Sequence, residues 1–262
     1  MYKRVFLFII LGFIAIACRD NLSNTTLPEL INSNNSASII GFNYLPSNTT
    51  GAVYRKNTYV ISYSEVHEQA EWVAYVLKAS DIQERDYKRP YFVIDSDILT
   101  GAADWRNYKK SGYNKGHLCP AGDRRGSYKD FKETFLTSNI TPQRYDFNAG
   151  IWNRLEQKVR YWAKKQDSLY VITGGVLNDD LEVIGFENVT VPKYFYKVLL
   201  SKNRTKMIGF LLPHKESKQP LYYYIVPVDS IEKMTGIDFF PELEDTLEKK
   251  LESSKTYDNW DF

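Results

Sequence analysis

Apolar residues recur at helical spacing across residues 148–162, directly after a turn-rich stretch, and this segment constrains the fold more than any other. At roughly 100° per residue, Ile151, Leu155, Val159 and Trp162 share one face, so the helix must lie against a core. Asn148, in the first turn, points the same way, and Glu156 and Arg160 flank that face. Upstream, an extended segment ends in His117, a turn containing Pro120 and Gly122 follows, and Phe135, Leu136 and Ile140 form a short apolar run before Pro142. Taken singly, the polar residues have ordinary explanations. Asp146 and Asn148 are both favoured helix N-caps after a Pro-containing loop, and Glu156 with Arg160 makes an i,i+4 surface pair.

The 262 residues, 43% of them hydrophobic, suffice for one sizeable core and exclude a disordered chain. Net charge is +2, so the overall balance does not announce a polyanion partner, but Lys109, Lys110, Lys115, Arg124 and Arg125 cluster around His117. Lys3 and Arg4 precede an apolar run from Val5 to Ala17 that is short for a membrane span and reads as a secretory signal. Ala17 before Cys18 resembles a bacterial lipobox, although Ala15 stands where such boxes prefer a larger aliphatic residue. Residues 1–18 are therefore expected to form a signal peptide ending at a lipid-anchored Cys18, with cleavage elsewhere as the alternative. The chain is expected to be exported, as an outer-membrane or cell-surface lipoprotein or as a periplasmic or secreted protein. Residues 19–50, rich in Asn, Ser and Thr, read as a polar tether, and residues 51–262 as the folded domain. With Cys18 lipidated, Cys119 has no disulfide partner and is assigned a partly buried packing role.

Within the domain, residues 58–63 alternate as a strand, and residues 65–78 carry Val66, Ala70, Val73 and Leu77 at helical spacing. Residues 169–174, 193–200, 207–212 and 222–226 read as strands, and residues 230–235 and 241–251 as short helices, Gly236 closing the first. His67 and Glu68 suggest a zinc helix, but Glu71 stands where that motif needs a second histidine. His214 falls in a loop without an evident partner and reads as a surface residue. No phosphate-binding glycine loop and no regular alternation of parallel strands with helices occur, so the fold class is α+β, a mainly antiparallel sheet flanked by helices.

The run Asn114, Lys115, Gly116, His117 resembles an Asp-Arg-Gly-His tetrad. Ser138, Asn139, Ile140, Thr141, Pro142 and Gln143, followed by Asn148, Trp152, Leu155 and Glu156, match a second signature in order and spacing. On these motifs the chain resembles the DNA/RNA non-specific endonucleases of the ββα-metal (His-Me finger) class, the group of mitochondrial endonuclease G and secreted bacterial nucleases. The likeness runs from about residue 58 to the C-terminal end. It implies His117 as general base, Asn148 as ligand of a divalent cation (Mg²⁺, with Mn²⁺ or another divalent ion possible), and Glu156 holding the ion's waters. It further implies Arg160 and Arg89 (Arg85 second) on the scissile phosphate, and Lys115 and Asn139 on the substrate side, Asn139 also bracing the loop. The expected partners are DNA and RNA, cut to 5′-phosphate ends with little sequence preference, and a membrane through Cys18. Asn114 and Lys115 depart from the tetrad. Lysine keeps the charge but lacks the bidentate fork, which implies reduced or retuned activity. The alternative is a noncatalytic surface lipoprotein that binds nucleic acid or another extracellular polymer.

Overall fold

The computed structural model describes residues 41–262, so the expected signal peptide, the Cys18 anchor and the first part of the expected tether lie outside the described residues. A seven-stranded antiparallel sheet forms the centre, in the order β1-β2-β3-β6-β9-β10-β11. Its strands are β1 (Ala52–Arg55), β2 (Val60–Ser64), β3 (Gln69–Lys78), β6 (Ser168–Gly175), β9 (Tyr194–Ser201), β10 (Met207–Pro213) and β11 (Ile225–Val226). Between β3 and β6 the chain makes β4 (Asn114–His117), helix α1 (Tyr128–Glu133), β5 (Ile140–Gln143), the turn α2 (Tyr145–Phe147) and helix α3 (Asn153–Gln166). The pair β7 (Val183–Ile184) and β8 (Val189–Thr190) follows β6, and α4 (Val228–Thr235) and α5 (Asp245–Glu252) follow β11. The expected α+β class and mainly antiparallel sheet are what the structure shows.

Strand side chains alternate between faces, and here both faces are buried. Ile61, Val73, Tyr75, Leu77, Leu169 and Val171 meet Leu155, Val159 and Trp162 of α3 on one side. Val60, Trp72, Ala74, Ile172 and Val198 meet Val228 and Ile231 of α4 and Leu251 of α5 on the other. This double burial explains the main departure from the sequence reading. The expected helix over residues 65–78 is a turn followed by β3. A strand apolar on both faces loses its alternation, so Ala70, Val73 and Leu77 mimic helical spacing while the aromatic and β-branched content of QAEWVAYVLK is that of a strand.

The expected tether also ends earlier than residue 50. Phe42 packs edge-on to Tyr170 at 5.4 Å and stacks on Phe240 at 6.4 Å, Ser47 bridges to Asp238, and Thr50 and Gly51 donate to the Glu71 carboxylate. The folded unit therefore begins at Phe42. Two aromatics and Leu45 in a polar stretch are enough to dock it. Toward the C-terminal end, residues 221–224 form a 3-10 turn after Pro220 rather than a strand, leaving only Ile225 and Val226 in β11. The last helix starts at Asp245, capped by the Glu244 side chain on Leu247 N–H. Gly236 caps α4 at φ 74°, as expected.

Candidate active site

β4 and β5 pair antiparallel, with His117 opposite Ile140 and Gly116 opposite Thr141, and the hairpin leads through α2 into α3. Gly116 is required here: a Cβ at this position would lie 2.2 Å from the Gln143 side chain across the ladder. The chain does not enter α3 as one continuous helix. Residues Asn148–Trp152 form a π turn in which Gly150 leaves helical geometry (φ −97°, ψ −111°). Asn148 has helical dihedrals and donates its amide to Arg144 O at 2.9 Å, so it sits inside the helical turn and is not an N-cap. The irregular turn re-aims Asn148 relative to α3, a common use of π turns at functional sites.

His117, Asn148, Glu156, Arg160, Arg89 and Lys115 line one cleft of about 370 Å³. The His117 ring is clamped edge-on by Phe135 at 4.9 Å and tilted against Phe92 at 5.4 Å, and its Nε2 is closed off with no hydrogen-bond partner. Burial first, and the Arg89 charge second, hold its pKa down to about 3, so the imidazole is neutral at pH 7. Burial lifts the Glu156 carboxyl to about 7, against the opposing pull of Lys197 and Arg160. Burial and then Arg89 lower the pKa of Lys115, whose ammonium lies 5.5 Å from the Phe92 ring centre.

Arg160 does not pair with Glu156. Its Nη1 donates to Asp123 Oδ1 at 2.8 Å, and the buried Asp123 accepts Tyr75 Oη–H through Oδ2 at 2.9 Å. The guanidinium passes within 3.0 Å of where a Gly122 Cβ would stand, so glycine there keeps the cleft floor open. Among the described residues, neither the Asn148 amide nor the Glu156 carboxylate makes a side-chain hydrogen bond. Two free hard oxygen donors facing one cleft fit a hard divalent cation that keeps most of its waters.

The model of the DNA/RNA non-specific endonuclease family matches residues 39–246. The chain belongs to this family. It is 32% identical to the mitochondrial nuclease EXOG of Danio rerio over 225 residues, covering 79% of this chain and 65% of that relative. It therefore spans just under two thirds of that relative's length. Nuclease C1 of Cunninghamella echinulata var. echinulata is 32% identical over 233 residues, covering 81% of this chain and 91% of that protein. The solved EndoG/EndoGI complex, titled for the mechanism of EndoG inhibition, aligns with a TM-score of 0.69 at 31% identity over 74% of this chain and 87% of that one. The ββα-metal fold expected from the motifs is thus the fold of this non-specific endonuclease family member.

Several expectations are corrected within that frame. Asn139 does not face substrate: it is fully buried, accepts Cys119 N–H at 2.8 Å and donates to Cys119 O and Thr134 O, so its whole amide braces the loop. Arg124 does not join the basic cluster expected around His117. It is buried, donates to Thr58 O and Val76 O, and lies 4.6 Å from the Tyr75 ring centre. Cys119 is fully rather than partly buried. His214 is buried too: Nδ1–H donates to Pro192 O at 2.8 Å and Nε2 accepts Arg144 N–H at 2.7 Å. Arg85 donates to Gly126 O beside an adjoining groove, leaving Arg89 as the arginine in the cleft.

The sequence reading did not single out Asp123, Arg125 as a cleft residue, or Lys197. Arg125 lines both the cleft and the adjoining groove. Lys197 is buried, with its ammonium 4.8 Å from the Trp152 ring centre and no hydrogen-bond partner among the described residues. A lysine inside the apolar strand KYFYKVLL was the signal for it.

Proposed function

We propose that the chain is a metal-dependent, sequence-nonspecific endonuclease that hydrolyses phosphodiesters of DNA and RNA to 5′-phosphate ends. The reading rests on one observation above all: a neutral histidine with an unpartnered nitrogen, a free amide and carboxylate, and four cationic side chains line the same cleft. The names of its relatives, nucleases and an endonuclease G, support the reaction class.

In this mechanism the neutral His117 imidazole takes a proton from the attacking water through Nδ1, since Nε2 is closed off. Burial and Arg89 hold its pKa low, and a phosphate anion beside it raises the basicity toward what proton acceptance requires. Phe92 and Phe135 fix the ring in the cleft wall, with Nε2 on the closed side. Arg89 and Arg160 hold the nonbridging oxygens and offset charge as it builds, Arg160 aimed by Asp123. Lys115 adds a point charge where the tetrad has arginine. A hard divalent cation, Mg²⁺ ahead of Mn²⁺, would be held by Asn148 and by waters braced on Glu156, and would supply counter-charge to the phosphate and the leaving 3′ oxygen. Contacts to phosphate and sugar rather than base edges give little sequence preference. Export on the amino-terminal signal, with a lipid on Cys18 tying the enzyme to a membrane, completes the proposal.

The test is degradation of plasmid DNA and of RNA by protein lacking residues 1–18, with and without Mg²⁺, beside His117→Ala. Cleavage abolished by chelator and reduced on the order of 10²–10⁴-fold in the variant is expected. Folded protein that cuts neither polymer with Mg²⁺, Mn²⁺ or Ca²⁺ would sink the enzyme and leave a nucleic-acid-binding surface protein.

A further inference from the structure

Behind the sheet, on the face opposite α3, α4 and α5 turn carboxylates toward each other. Asp229 and Glu232 stand three apart on α4, and Glu248 and Glu252 four apart on α5, so each helix presents a pair on one side. One carboxylate oxygen from each of Asp229, Glu232 and Glu252 lies within 4.8 Å of the others. Asp238 adds a fifth acid nearby, its Oδ2 accepting Ser47 Oγ–H at 2.8 Å.

Such a cluster on a solvated surface would mean nothing, but Glu252 is only 6% exposed, and its Oε1 is closed off without a hydrogen-bond partner. Glu248 Oε1 is orphaned in the same way. None of these acids takes part in an ion pair with a basic side chain among the described residues. Burying unpaired carboxylates is costly, so the cleft needs a positive partner or a proton. Burial, with Glu232, Glu248, Asp229 and Asp238 adding to it, pushes the Glu252 carboxyl up to about 9. One proton neutralises one carboxylate and leaves the others facing each other.

We propose that the α4–α5 cleft is a second metal site, taking a Ca²⁺-sized hard divalent cation on Asp229, Glu232 and Glu252, with Glu248 beside it. The donors are all oxygen, without His or Cys, which selects against Zn²⁺, and three or four protein carboxylates on one ion suit Ca²⁺, which takes many oxygen ligands, better than Mg²⁺, which keeps several waters. The ion would tie the two carboxyl-terminal helices together on the back of the sheet, apart from the chemistry of the cleft around His117.

The test uses the full-length protein carrying Asn148→Ala, which removes the amide ligand of the front cleft, stripped with EDTA and titrated with CaCl₂ by calorimetry and thermal unfolding. One Ca²⁺ per chain is expected, with Tm raised by roughly 5–10 °C at about a hundredfold excess over Kd. Adding Glu252→Gln should abolish both, and so should Asp229→Asn at the exposed position, where the change cannot disturb packing. No heat and no Tm shift in the parent protein, or binding that survives both changes, would overturn the site. A Glu252→Gln protein more stable than its parent in EDTA, with Ca²⁺ inert, would show that a shared proton satisfies the acids instead. Neither outcome bears on nucleic-acid cleavage, which is read separately with Mg²⁺ in the protein that keeps Asn148.

Discussion

Lys115 and Asp123 are the residues through which the cleft can be tuned without touching the base. Restoring the tetrad's fork with Lys115→Arg should raise kcat/KM on plasmid DNA by about tenfold, the difference of one added charge-assisted hydrogen bond. An unchanged value would mean that Lys115 does not meet phosphate. Asp123→Asn leaves Arg160 its charge but weakens its hold, and should lower kcat/KM by roughly 10–100-fold with little change in fold. The histidines set the acid limit. Both His117, held down to about 3, and His214, held down to about 4, are protonated far more readily in the unfolded chain, whose histidine pKa is about 6.5. Their contribution to stability is complete above pH about 6.5 and is lost as pH falls through the window down to 3–4. Glu156 and Glu252, whose carboxyls are lifted to about 7 and about 9, gain stability over the same window and oppose the histidines. The check is therefore the change in urea midpoint from pH 7 to pH 5 in the wild type against His117→Asn, the variant losing less or gaining more on acidification.

Among the elements, the apolar face of α3 was the most readable and β3 the least. His117, Asn148 and Glu156 were grouped through the resemblance of their motifs to a family's. Helix period alone gave Asn148 and Glu156 ordinary roles, and the pairing of β4 with β5, more than twenty residues apart, leaves no local signal. β3 was read as helix since burial on both faces erases the period-two signal, and the break at Gly150 was invisible because apolar spacing runs straight across it. Asp123, Lys197 and the partners of His214 escaped for a different reason: each depends on an element distant in sequence, which spacing alone does not reveal. The hairpin itself is tightly fitted. Gly116→Ala forces a Cβ into the Gln143 side chain and should cost about 1–3 kcal/mol by denaturant unfolding. Shortening the obstacle with Gln143→Ser in the same protein should recover most of that loss, and failure to do so would place the strain elsewhere.

For the molecule as a whole, the boundary of the folded unit is a practical matter. A protein starting at residue 51 loses Phe42, Tyr44 and the Thr49 and Thr50 hydroxyls that donate to Glu71, whereas one starting at 41 keeps them. The shorter protein should be less stable by roughly 3–5 kcal/mol, read as a lower urea midpoint. Equal midpoints would return those residues to the tether. With a net charge of +2, the proposed binding to DNA would draw on the local cations of the cleft, Arg89, Lys115, Arg125 and Arg160. The slope of log K against log salt should therefore be shallow, about −3 to −4. The Tyr75 hydroxyl that reaches from β3 to Asp123, and through it to Arg160, carries one more consequence. A chain still threading or collapsing has no β3 in place beside the hairpin, so its phosphate clamp is unset. If the proposed nuclease reading holds, the folding chain carries no set clamp until its sheet has closed, and on refolding from urea activity should return together with, and not ahead of, the native sheet.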